Sequence, residues 1–284
     1  MRFRGKATPF RLATLFLWIA VLSRMTFADG ADNLRPLTRT ESGAHRALEI
    51  EYHEMAPWYD GFWMDYLDKT FPKPLALLRA SVAKTTTSSS PLTVVDVGCG
   101  TGLFLKRFVD EYSYSSSSNG SNEQFPKLIG IEPSVAMIEH AKAKFAHQEI
   151  PTAEFKSAPA EELPLADESA DVLCSTNAFH FFCNKEKALS EMNRVLKDGG
   201  QLVITDWSHD FILVKLYHLL ERLRWLRHGY PSPLPTKRML QMVKDAGFDN
   251  VSIERYPVRF WIFVFWGMHT ATATKNAVPS NIVV

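Results

Sequence analysis

Three glycines at alternate positions, Gly98, Gly100 and Gly102, follow the apolar run Val94-Val95-Asp96-Val97 and precede Leu103. Glycine lets the backbone turn sharply and lets a ligand come close to it. A helix opening just beyond such a loop favours an anionic group, such as a carboxylate, at its N-terminus. The spacing is G-x-G-x-G. A dinucleotide fingerprint needs its third glycine where Leu103 stands, and a Walker loop needs a lysine that does not follow in time. Glu132 stands at the tip of the next apolar run, where a doubly wound sheet presents a carboxylate to two ribose hydroxyls. Its plainer reading is a helix-cap acid before Pro133.

A second group of reactive types closes a later apolar run, Cys174-Ser175-Thr176-Asn177-Ala178-Phe179-His180. Ligands of open α/β sheets bind outside the carboxyl ends of strands, which places Asn177 and His180 near them. His180 is the candidate base, because imidazole titrates near neutrality. The alternative is a histidine packed beside Phe179 and Phe181. His180 and Cys183 have a ligand-like spacing, but no second pair accompanies them, so no metal site is read.

These residues need a scaffold. Strands are expected at 93–97, 128–131, 153–156, 170–175 and 201–205, with helices at 103–112, 133–147 and 185–196. Alternating strands and helices imply a parallel sheet covered on both faces. Further helices are expected at 211–227 and 236–246, the second stopped by Gly247. Two final strands, 251–256 and 261–270, have no helix between them and should pair as a hairpin. The tracts Lys84 to Ser90 and Ser113 to Asn122 read as surface loops within one domain.

The chain has 284 residues, 46% of them apolar, with a formal net charge of +1. That balance excludes a whole-chain basic footprint for nucleic acid. Three cysteines exclude a disulfide framework. No apolar run reaches the ~18 residues of a membrane span. Arg2, Arg4, Lys6 and Arg11 precede an apolar stretch from Leu12 to Leu22, and Ala28 offers a cleavage position. This reads as a signal-type targeting segment over 1–28, with a mitochondrial presequence or a retained anchor as alternatives. The signal leads into the secretory pathway, to an endomembrane lumen or an organelle such as a plastid, and cysteines not placed for pairing favour a reducing organelle. Residues 29–50 are then a linker or transit-like segment.

The motifs Val95-Asp96-Val97-Gly98-Cys99-Gly100-Thr101-Gly102, Gly130-Ile131-Glu132-Pro133-Ser134, Ala160-Glu161-Glu162-Leu163-Pro164 and Leu196-Lys197-Asp198-Gly199-Gly200 occur in order. With them the chain resembles the class I S-adenosylmethionine-dependent methyltransferases, in the type 11 branch near the quinone and sterol C-methyltransferases. The resemblance covers residues 51–275 and leaves 276–284 as a tail. It implies a Rossmann-like, doubly wound α/β sheet of seven strands, order 3-2-1-4-5-7-6 with strand 7 antiparallel, under an N-terminal helical cap. It implies S-adenosylmethionine as cofactor. Gly98, Cys99, Gly100 and Gly102 would then wrap the methionine part, Asp96 would position the ammonium, and Glu132 would hold the ribose. Pro133, Ser134 and Ala160 would lie by the adenine, with Asn177 near the methyl and Tyr59 closing from the cap. Pro159 stands where many relatives carry Asp or Asn, which leaves Ser157 and Glu161 as doubtful adenine contacts.

The Asn/Asp-Pro-Pro-aromatic tetrad of amino-methylating enzymes is missing after the fourth strand. Cys174 lacks the proline that precedes a cytosine-methylating nucleophile. The expected partner is therefore a small-molecule acceptor and not nucleic acid, with transfer by in-line displacement. Such transfer gains mainly from holding nucleophile and methyl together. A cofactor-binding protein without turnover is the alternative. Arg222, Arg224, Arg227 and His228 form either an anion site or a solvated basic face. Trp261, Phe263, Phe265 and Trp266 read as sheet core.

Overall fold

The computed structural model describes residues 52–85, 91–119, 125–146, 153–222, 233–260 and 263–276. The targeting and linker expectations for 1–50, and Arg224, Arg227, His228 and Trp261, lie outside them. The side chains of Arg222, Phe263 and Phe265 are likewise not described.

Seven strands form one sheet in the order β3-β2-β1-β4-β5-β7-β6. They are β1 (Thr93–Val97), β2 (Lys127–Ile131), β3 (Ala153–Lys156), β4 (Ala170–Thr176), β5 (Leu196–Trp207), β6 (Phe248–Phe260) and β7 (Phe263–Lys275). The β1–β2, β2–β3, β1–β4 and β4–β5 pairs are parallel, and β7 runs antiparallel to both β5 and β6. The order reverses between β1 and β4, the switch point beyond which open α/β sheets bind ligands. The helices are α1 (Tyr59–Thr70), α2 (Pro72–Thr85), α3 (Leu103–Asn119), α4 (Val135–Phe145), α5 (Lys185–Val195), α6 (Ile212–Arg222) and α7 (Thr236–Asp245). Among the described residues no helix is long and apolar enough to cross a membrane.

Alternation along the strands feeds two cores. Val95, Val97, Leu173, Leu202 and Ile204 face α5 and α7 through Leu189, Met192, Met239 and Val243. Val94, Val172, Cys174 and Val203 face α1, α2 and α3 through Leu67, Leu78, Phe104 and Phe108. Strands buried on both faces read as continuous apolar runs, as these do. Helix starts follow local chemistry. Ser134 Oγ accepts from Met137 N at 3.4 Å and Asn184 Oδ1 from Lys187 N at 3.0 Å, each satisfying an N-terminal donor.

Three expectations are corrected. α3 continues to Asn119, so the serine tract from Ser113 is helical backbone for much of its length. β5 begins at Leu196, because Leu196 pairs with Ala170 and the next partners are Val172 and Gln201, leaving Lys197–Gly200 as an irregularity opposite Asp171. The final hairpin is longer than its alternating core, running from Phe248 to Lys275. Among the described residues, Cys99 and Cys174 are buried and Cys183 is partly buried, and none of them forms a disulfide.

Phe108 is fully buried at the centre of the α1–α3 core. Phe108→Ala should cost ~3–5 kcal/mol of unfolding free energy, read as a lower urea midpoint at unchanged m-value.

Candidate active site

The loop after β1 is shaped by backbone constraints at both ends. Gly98 N and Cys99 N both donate to Ile131 O, at 2.8 and 3.0 Å, which seats the turn on the end of β2. Gly98, Gly100 and Gly102 have φ of 78°, 53° and 73°, a region that side-chain-bearing residues rarely occupy. A Cβ on Gly98 would stand 2.4 Å from the Cβ of Ala178, whereas one on Gly100 would meet nothing within 4 Å. Gly98 is thus required by packing against the β4 loop, and Gly100 by its turn.

Glu132 closes the loop from the neighbouring strand. Gly100 N donates to its Oε2 at 3.2 Å and Ser134 N to its Oε1 at 3.1 Å. Burial pushes this carboxyl up to about 7, and the two backbone donors oppose that rise. Asp96 is also raised to about 7, by burial first and with the Glu132 charge adding to it. Both Asp96 carboxylate oxygens are buried without an oxygen or nitrogen partner, beside the Cys174 thiol.

A cleft opens above this loop, across the switch point. Glu132, Pro133, Ser134, Met137 and Ala160 line the end near β2, and Tyr52, Tyr59, Asn177, Phe181 and Phe182 line the end near β4. Of the expected site residues, the structure gathers Tyr59, Gly98, Gly100, Glu132, Pro133, Ala160 and Asn177 into the lining.

The others are placed differently. Cys99 is buried with its thiol turned to its own loop, toward Gly100 O at 3.7 Å. Gly102 packs on the far side, where a Cβ would press on Ala141 and Phe155. Asp96 lies beneath the lining, on the strand face shared with Val94. Ser157 Oγ donates to Pro133 O at 3.0 Å outside the lining, while Glu161 lines the cleft and accepts from Asn184 N at 2.9 Å.

His180 is the main correction. It is 1% exposed and absent from the lining. Its Nδ1 meets Asp206 Oδ1 at 2.5 Å, and its ring lies between Phe181 and a stacked Trp207, with centroids at 4.1 and 4.0 Å. Nε2 is buried without a partner. The ring is sealed behind the cleft wall, so the packed-histidine reading fits its position and a base in direct contact with a ligand does not.

Sequence reasoning passed over Phe181 and Phe182 as ligand-side residues. The aromatic run after β4 is the available signal, but Phe179 and Phe181 enter the sequence reading only as the packing that would surround His180 in the alternative to a base. Among the described residues no group of three or more His, Cys, Asp or Glu could hold a metal ion.

A methyltransferase domain family matches residues 95–204, from β1 to β5. The ubiquinone/menaquinone biosynthesis C-methyltransferase UbiE of Campylobacter jejuni strain NCTC 11168 is 32% identical over 184 residues, covering 58% of this chain and 74% of that protein. This chain belongs to the class I S-adenosylmethionine-dependent methyltransferases, type 11. UbiE of Campylobacter jejuni strain 81116 is 33% identical over 117 residues, 41% of this chain and 45% of that protein, so the match spans under half of that relative. A Paenibacillus malonyl-[acyl-carrier protein] O-methyltransferase is 24% identical over 56% of this chain and 55% of its own length.

The fold agrees. A Thermotoga maritima S-adenosylmethionine-dependent methyltransferase superposes with TM-score 0.57 at 19% identity, over 79% of this chain and 98% of that one. A Haemonchus contortus phosphoethanolamine N-methyltransferase in complex with S-adenosylhomocysteine gives TM-score 0.53 at 14% identity, over 71% of this chain and 53% of that one.

The methyltransferase cofactor fits the residues present. Glu132 would offer an acceptor to ribose hydroxyls, the glycine loop leaves space beside Gly100, and Asp96 beneath the lining, with no nitrogen or oxygen partner, would suit a cationic ammonium. The carboxyl of Glu132 holds its proton to about pH 7 in the folded chain, against 4.5 for an ordinary glutamate. The native state therefore binds more protons than the unfolded state between these values, and stability falls as pH rises through them. Hydroxyl donors prefer the ionised carboxylate, so binding should follow the opposite course. S-adenosylhomocysteine affinity should tighten about tenfold from pH 6 to pH 8 by calorimetric titration, and Glu132→Gln should flatten that slope. A flat wild-type profile would count against Glu132 as the ribose acceptor.

Proposed function

We propose that this methyltransferase moves the methyl group of S-adenosylmethionine to a small, uncharged acceptor held against the aromatic end of its cleft. The observation that carries this reading is the lining itself. Among the described residues, no Lys, Arg or His lines the cleft, and its two acids are Glu132 and Glu161. Glu132 is held by the loop and Glu161 by Asn184 N. An anionic acceptor would find no cation there, and burying an unpaired charge is costly. Tyr52, Tyr59 and Phe181 offer ring faces, with Tyr52 to Tyr59 at 6.2 Å and Tyr52 to Phe181 at 5.8 Å. The UbiE relatives, named for ubiquinone/menaquinone biosynthesis, support an acceptor with an apolar ring.

When bound, the cofactor supplies an electrophilic methyl on a sulfonium. The chain's part is to hold and align. The glycine loop and Glu132 fix one end of the cleft, and Tyr52, Tyr59, Phe181 and Phe182 flank the other. Alignment alone can account for a large share of the acceleration in such a displacement. His180 is sealed from the lining, so an acceptor proton is best released by a group that is already acidic or leaves it to solvent.

The test is transfer of labelled methyl to a panel of uncharged phenols and hydroquinones beside carboxylated and phosphorylated analogues. Turnover confined to the uncharged members is expected. Phe181→Ala should raise the acceptor KM about tenfold and leave S-adenosylhomocysteine affinity within about twofold, since removing a packed ring weakens ligand contact by ~1–2 kcal/mol. Turnover of the anionic analogues alone would overturn the assignment. Cofactor binding without turnover of any acceptor would favour a non-catalytic role.

A further inference from the structure

Asn177 occupies a position that its backbone does not favour. Its φ is +58°, immediately after β4, and its N–H donates to Thr205 O at 2.9 Å on β5. The left-handed region is costly for a residue with a Cβ, though asparagine tolerates it better than most. The residue lines the cleft next to Ala178, which packs against Gly98. Its conformation therefore bears on both the cofactor loop and the aromatic wall.

Both ends of its carboxamide are held by the N-terminal cap helix. Tyr66 donates its hydroxyl to Asn177 Oδ1 at 2.9 Å, and Asn177 Nδ2 donates to Thr70 Oγ1 at 3.0 Å. Tyr66 and Thr70 lie one turn apart on α1 and are both buried. The Tyr66 oxygen in turn accepts from Trp207 Nε1 at 2.7 Å, at the end of β5. Trp207 stacks on His180, whose turn carries Phe181 into the cleft. One phenol thus joins the cap helix, the strained residue after β4 and the end of β5.

We infer that Tyr66 is a positioning residue, which acts through Asn177 to hold the cleft in its cofactor-binding shape. This rests on the methyltransferase reading of the site and adds a residue that does not itself line the cleft. Buried hydrogen bonds of this kind fix one arrangement because leaving any partner unpaired is costly. The cap helix is then a working part of the site and not merely a cover. Loosening Tyr66 frees Asn177 to leave its left-handed conformation, and Ala178 and Gly98 move with it.

The test is a double-mutant cycle on S-adenosylhomocysteine affinity, measured by calorimetry on the whole chain, with melting temperatures alongside. Tyr66→Phe keeps the ring and removes the hydroxyl. It should weaken binding about fivefold, Asn177→Ala about tenfold, and the double variant no more than Asn177→Ala alone. Thr70→Val, which removes the second tether by a different route, should weaken binding in the same direction. The indole N–H resonance of Trp207 should shift on ligand addition in the wild type and lose that response in Tyr66→Phe. Independent effects, multiplying to about fiftyfold, would overturn the inference. So would a lower melting temperature with unchanged affinity in Tyr66→Phe, which marks a purely structural role. A folded wild type that binds no S-adenosylhomocysteine would instead overturn the reading of the site on which the inference rests.

Discussion

Gly100, across the gap between the first and second strands, and Ser134, two residues further along, each direct a backbone N–H at one oxygen of Glu132. The rest of the site depends on this exchange. A buried carboxylate without donors would be strongly destabilising, and a loop at positive φ without a partner would have no reason to hold its shape. Each supplies what the other lacks. The loop is also seated by two N–H donors on Ile131 O, so the end of β2 sets both the turn and the acid beside it. The proximity of Asp96 adds repulsion, which helps to raise Asp96 toward neutrality. Glu132, which has two N–H donors, and Asp96, which has none, lie together under the glycine loop, and a ligand with hydroxyl and cationic groups would complete both.

The main lines of this arrangement were legible because they are local. Val94 to Gly102 carries strand, turn and helix start within nine positions, and its glycine spacing together with the lack of a following lysine excluded two other cofactor loops. Glu132 was legible because the end of a strand in a parallel sheet is a predictable place. The failures have physical causes too. The irregularity at Lys197–Gly200 breaks the register between β4 and β5, so the true start of β5 at Leu196 carries no alternating pattern. The helix α3 runs on through a serine-rich tract because helix propagation needs only a modest preference once started. The role of His180 turns on Asp206, a partner 26 positions away on another strand, and no spacing in the sequence announces that pair.

The N-terminal cap shows how aromatic residues serve two ends at once. Trp63 lies 6.3 Å from Tyr59 and 5.8 Å from Tyr66, so the rings form a path along α1 from the cleft to the interior. Tyr59 reaches the cleft lining, while Tyr66 is buried at the far end. Asp60, between them in the chain, contacts both Thr101 of the glycine loop and Lys144 of α4. The cap is therefore attached by an ionic contact on one side and by the Tyr66–Asn177 bond on the other. Partial burial of Lys144 lowers its affinity for a proton, and the Asp60 carboxylate opposes this. That contact contributes modestly, because both groups remain partly open to solvent. The apolar packing of Leu67 and Phe71 must supply most of the holding energy.

His180 and Asp206 illustrate why a suggestive pair need not be chemical machinery. Both side chains are almost wholly buried, and removing either partner would strand the other. Asp206 also accepts from Trp207 N at 2.8 Å, and Lys185 donates to Phe182 O at 2.8 Å from below the same turn. These contacts converge on Phe179–Phe181, the short turn that carries Phe181 to the cleft. A turn this short has few hydrogen bonds of its own, so its shape must be imposed by its surroundings. The pair imposes it through the backbone of β5 and the faces of two rings. Placing polar groups behind the wall leaves the wall itself aromatic and uncharged. That division lets the carboxyl end of the sheet combine a rigid, hydrogen-bonded frame with the apolar surface proposed to receive the acceptor.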